Sequence, residues 1–98
     1  MVIGKVVGTV VATRKHDRLV GGKIQVVQPL DPSSLEPAGE LFVAIDAVGA
    51  GIGEQVLIAQ GSAARKAIDN ESAPVDATIV GIIDEIDIPN SKLSKQWA

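Results

Sequence analysis

The chain has 98 residues, 46% of them hydrophobic and 21% charged, which fits one globular domain and excludes a disordered polymer. Its net charge of −3 and its two aromatic residues, Phe42 and Trp97, argue against a nucleic-acid surface built on basic charge and base stacking. Thirteen Val and eleven Ile against six Leu favour strands, because stiff β-branched side chains suit a pleated surface, and the lack of Cys excludes disulfides, thiolate metal sites and cysteine catalysis.

Residues 2–13 read as one long strand, with Val6, Val10 and Ala12 expected on one face and Val7, Val11 and Thr13 on the other. Gly4 and Gly8 interrupt it, and glycine inside a strand marks a bend or a close backbone approach. A charged connection, Arg14 to Asp17, leads through Gly21-Gly22 to a second strand over Lys23–Gln28, with Ile24 and Val26 sharing a face. Pro29 to Gly39 is a loop by composition. A third strand is expected over Leu41–Val48, a tight turn at Gly49-Ala50-Gly51-Ile52-Gly53, and a fourth strand over Gln55–Ala59.

Ser62 to Asp69 is the one convincing helix, with Ser62 as its expected N-cap ahead of Ala63, Ala64, Arg65, Lys66 and Ala67. A fifth strand is expected over Asp76–Ile88, with Val80, Ile82, Ile86 and Ile88 on one face. The tail from Pro89 to Ala98 is polar except for Leu93 and Trp97. Five strands and one short helix between the fourth and fifth must hide their edges in a small domain. Curling into a mainly β, loosely OB-like barrel does so.

Charge is unevenly spread: residues 1–28 carry a local +4 and the remainder −7. No apolar run approaches the roughly 18 residues of a membrane helix, and the N-terminus lacks the pattern of a signal peptide, so a cytoplasmic protein with no membrane partner is expected.

No catalytic set emerges. Gly49, Gly51 and Gly53 imitate a dinucleotide fingerprint, but that motif spaces its third glycine differently and opens a helix, whereas a strand follows here. Ser62 has no adjacent base, since the single histidine, His16, lies in a distant charged loop. His16 alone builds no metal site, and no cofactor is expected. Asp84, Glu85 and Asp87 would alternate faces on a strand, which leaves only the last two together. Asp46, at a strand end, is expected to fix the glycine turn that follows. What remains is more apolar strand surface than so short a chain buries, with Val7, Val11, Leu93 and Trp97 as candidates for sealing against a second copy. Trp97 could equally fold back on its own barrel or stay disordered.

Four stretches together resemble the EutN/CcmL family of bacterial microcompartment vertex proteins. They are Gly4–Thr13 with Val27-Gln28-Pro29-Leu30, then Val43–Gly53, Gly61-Ser62-Ala63-Ala64-Arg65, and Pro74–Asp84. Order and spacing hold over residues 1–88, which marks residues 1–88 as the family domain and 89–98 as a tail. Beyond Pro29-Leu30 the Pro29–Gly39 loop shows no match to the pattern, and neither does the stretch after Asp84. The resemblance implies a small barrel that assembles as a homopentamer and caps the vertices of a polyhedral shell, beside hexameric and trimeric shell proteins. It implies a structural protein, not an enzyme. It directs attention to Gly49, Gly51, Gly53, Ser62, Ala63 and Arg65 as subunit contacts or fivefold-axis residues, and to Leu93 and Trp97 as a reach toward a neighbouring protomer. The alternative reading is an OB-like module that binds nucleic acid or a small ligand.

Overall fold

Alternating burial along β-branched runs builds the strands β1 (Val2–Val10), β2 (Lys23–Pro29), β3 (Phe42–Asp46), β4 (Gln55–Gln60) and β5 (Ala77–Ile82), with the helix α1 (Ser62–Ala67) between β4 and β5. The computed structural model describes residues 1–11, 23–68 and 75–87. The expected charged connection with His16, and the tail with Leu93 and Trp97, lie outside the described residues.

The strands close into a barrel in the order β1-β2-β3-β5-β4. All neighbours are antiparallel except β3 and β5, which run parallel and pair through only Ile45–Thr78 and Asp46–Ile79. The expected OB-like barrel is therefore the fold observed. Val6, Val27, Ala44, Ala50, Val56, Ile58, Ala77 and Ile79 fill the interior, with Val2 and Phe42 packed against them. Gly4 belongs to this core as a close approach: a Cβ there would overlap the Val27 Cγ1 methyl and press on Ile58 Cδ1 at 3.2 Å.

Two irregularities correct the expected face assignments. Val6 pairs with Val27 and Gly8 with Val26, so Val7 is an extra residue, and beyond it the inward and outward positions of β1 exchange. Thr9, not Val10, then follows Val6 on the inner side, opposite Gln25. Val10 and Val11 are both exposed. In β5, Ile79 pairs with Ile58 and Gly81 with Leu57, which leaves Val80 extra and removes it from the face of Ile82. A one-residue bulge defeats strict alternation because the side-chain period is two.

Element ends also differ from expectation. β3 stops at Asp46 because the Asp46 carboxylate binds the next turn, which takes Ala47 and Val48 out of the strand. β5 ends at Ile82, so Asp84, Glu85 and Asp87 lie past the strand and their predicted alternation does not apply. α1 has six residues, too few to persist by itself. It is held through fully buried Ala64, whose carbonyl accepts the Thr78 hydroxyl at 2.9 Å. Ser62 is its first residue rather than its N-cap; that position belongs to Gly61, whose φ of 61° suits glycine, and no side chain caps the helix.

Candidate assembly surface

The Ala47–Glu54 turn is built around one buried carboxylate. Asp46 Oδ1 accepts the N–H groups of Val48 and Gly49, each at 2.9 Å, and Oδ2 accepts Ala50 N–H at 2.7 Å. Gln25, 1% exposed, reaches the same place from β2. Its Nε2 donates to Asp46 Oδ2 at 3.3 Å and to the Ala50 carbonyl at 2.9 Å, while its Oε1 accepts the Thr9 hydroxyl at 2.7 Å. Three more turn amides are engaged: Gly51 N–H with Glu54 Oε1, Glu54 N–H with the Gly51 carbonyl, and Gly53 N–H with the Val6 carbonyl. Among the backbone N–H groups of residues 48–54, only that of Ile52 lacks a partner among the described residues. Asp46 thus does what its position predicts. Gln25 had no signal beyond being a polar residue in an apolar strand.

Gly49 and Gly53 take φ values of 80° and 94°, the left-handed region where a side chain is strained. Gly51 does not; a Cβ there would crowd Glu54 Oε1 at 3.3 Å. The three glycines therefore shape one turn that presents Ile52, 68% exposed, at the β4/β1 boundary. Val7 is exposed beside it, next to Val6, which bonds Gly53 and Glu54.

The helix start lies elsewhere. Ser62 and Ala63 are exposed, and Arg65 Nη1 donates to the Val75 carbonyl at 3.1 Å, fixing the residue that precedes β5. Val75 forms a small apolar cluster with Ile24, Ile45 and Ile68 outside the barrel. Between this cluster and Val43 runs a groove, because Phe42–Ala44 of β3 have no strand partner on the β5 side. The structure does not bring the turn and the helix start together; it sets them at different strand boundaries.

The loop after β2 is tight and separate. Asp31 Oδ1 accepts both the Ser33 hydroxyl and its N–H, and these bonds hold the exposed carboxyl below its ordinary range. Among the described residues no three His, Cys, Asp or Glu side chains are grouped to hold a metal. Every buried polar side chain described, Gln25, Asp46 and Thr78, is used in internal hydrogen bonds.

The sequence model of the family described as ethanolamine utilisation protein EutN/carboxysome matches residues 1–84. The carboxysome shell vertex protein CcmL of Gloeobacter violaceus is 44% identical over 93 residues, which are 95% of this chain and 92% of that protein. A solved structure of an ethanolamine utilization protein, EutN, is 41% identical with a TM-score of 0.86, covering 92% of this chain and 93% of that one. The pentameric microcompartment shell protein GrpN of Rhodospirillum rubrum is 43% identical with a TM-score of 0.80, over 90% of this chain and 99% of that one.

Proposed function

The chain belongs to the EutN/CcmL family, and from that membership we propose that it is a microcompartment shell vertex protein that works as a homopentamer. The observation that carries this reading is the likeness to GrpN, a pentameric shell protein matched over 99% of its chain with a TM-score of 0.80. A fivefold ring supplies the curvature that hexagonally tiled shell proteins lack, so a few copies close a polyhedral shell against hexameric and trimeric neighbours. A ring of identical chains needs a heterologous contact, in which unlike patches of one protomer meet round the axis.

The role is structural. In support, the buried polar groups of the barrel are spent on holding the turn and helix, and Ser62 faces solvent at a helix start with no base described beside it. The Gly49–Gly53 turn and the Ser62–Arg65 helix start serve the subunit contacts, and the tail with Leu93 and Trp97 reaches a neighbouring protomer. The ring belongs in a shell within the bacterial cytoplasm, in keeping with relatives named for carboxysome and microcompartment shells.

The native mass of the purified protein tests this reading. A species near 50.5 kDa, five copies of the 10.1 kDa chain, is expected across concentrations. A 10.1 kDa monomer at every concentration would overturn it.

A further inference from the structure

Several features compete for a second role. The acidic residues after β5 form no site, and the strained Leu35 in the loop after β2 is accounted for by the Asp31 hydrogen bonds around it. The apolar outer surface carries more. Soluble barrels normally turn polar residues outward, yet the outer side of β2 and β3 carries Ile24, Val26, Val43 and Ile45. Val43 is 54% exposed, and Leu41, just before β3, is 56% exposed.

These residues border the groove at the β3/β5 boundary. Its floor is Ile45 and Val75, its walls are Ile24, Val43 and Ala77, and Asp76 stands at the rim. The groove exists because β5 pairs with only the last two residues of β3, Ile45 and Asp46, and leaves Phe42–Ala44 unpaired on that side. Its floor at Val75 is tied by Arg65, which gives that arginine a supporting part in the surface.

The complement lies across the barrel. Ile52 and Val7 protrude at the β4/β1 boundary, separated from the groove by β1, β2 and β3 one way round and by β4 and β5 the other. One side of the protomer therefore carries an apolar knob and another an apolar hollow, which is what a heterologous, ring-closing contact requires. The knob is already rigid, since the turn that bears it is bonded at nearly every amide, so docking it costs little conformational entropy.

Resting on the pentamer reading above, we infer that Ile52, flanked by Val7, of one copy docks in the groove between Val43, Ile24 and Val75 of the next copy. The unlike patches and their separation round the barrel make a second copy of this chain the occupant.

The chain has no cysteine, so a double variant Ile52→Cys/Val43→Cys reports the contact without background. If the two positions meet between neighbours, their Cα atoms come within disulfide reach, roughly 4.4–6.8 Å. Mild oxidation then gives a ladder of covalent species that ends at five chains. The single variants give no ladder. Products that stop at dimers, or no crosslink in a preparation whose native mass is that of five chains, would overturn this contact while leaving the pentamer standing. A wild-type monomer would instead overturn the pentamer reading. As an independent measure, Ile52→Glu alters only an exposed turn side chain and should turn the 50.5 kDa species into folded 10.1 kDa monomers with an unchanged far-UV circular dichroism spectrum. An Ile52→Glu protein that remains pentameric would also overturn the proposal.

Discussion

Asp46 shows how much one side chain can organise. Four donors converge on its two oxygens: three turn amides and the Gln25 amide. A carboxylate can take all four because it only accepts, whereas an amide of the same shape must present two N–H groups. Asp46→Asn therefore faces a donor against Ala50 N–H and Gln25 Nε2, or against Val48 and Gly49 N–H if it flips. Such buried mismatches cost about 1–3 kcal/mol each. We expect a loss of about 2–4 kcal/mol in denaturant unfolding, together with release of the Gly49–Ala50 amides to faster hydrogen exchange. Unchanged exchange at Gly49 and Ala50 would show that the turn does not depend on this carboxylate. Asp46 was legible because a polar residue at a strand end, three positions before the first glycine of a glycine-rich turn, is a local pattern. Gln25 was not, since its partners come from 16, 21 and 25 residues away and nothing local to β2 announces them.

At the level of elements, strand existence was legible from β-branched runs, and strand faces only as far as the first bulge. Val7 and Val80 look like ordinary members of alternating runs; the extra residue becomes visible only when the partner strands, Val26–Val27 and Leu57–Ile58, are set beside them. The helix gives the reverse lesson. Ser62 has the right identity for an N-cap, but the chain leaves β4 through Gly61 at φ 61°, and that glycine takes the position. Removing a working cap costs about 0.5–2 kcal/mol, so Ser62→Ala should be nearly silent in a thermal melt because no cap bond is lost. Gly61→Ala, by contrast, should destabilise by about 1–2 kcal/mol, since it places a side chain in the left-handed region. A Ser62→Ala loss as large as that of Gly61→Ala would restore the serine to the capping role.

For the whole molecule, closure of the barrel and surplus of apolar surface are linked. A five-stranded barrel this short closes with staggered strands, so Phe42–Ala44 of β3 lie beyond the β5 pairing and leave an apolar edge that none of the described strands covers. The sequence signalled the surplus through its valine and isoleucine content, but not its division into a knob and a hollow, which depends on where strands stop pairing. If assembly covers that surface, folding and association are coupled, and stability must depend on protein concentration. For five folded chains that unfold together to free chains, each tenfold rise in concentration adds four-fifths of the usual tenfold free-energy step per chain, about 1.1 kcal/mol. A domain of this size moves its melting midpoint by roughly 4–8 °C per kcal/mol. The midpoint should therefore climb by about 4–9 °C per decade of concentration for the wild type. For Ile52→Glu, which retains the barrel but lacks the knob, it should stay level. A wild-type midpoint that does not move would mean that the isolated barrel carries its own stability and that its exposed valines and isoleucines need no partner to keep it folded.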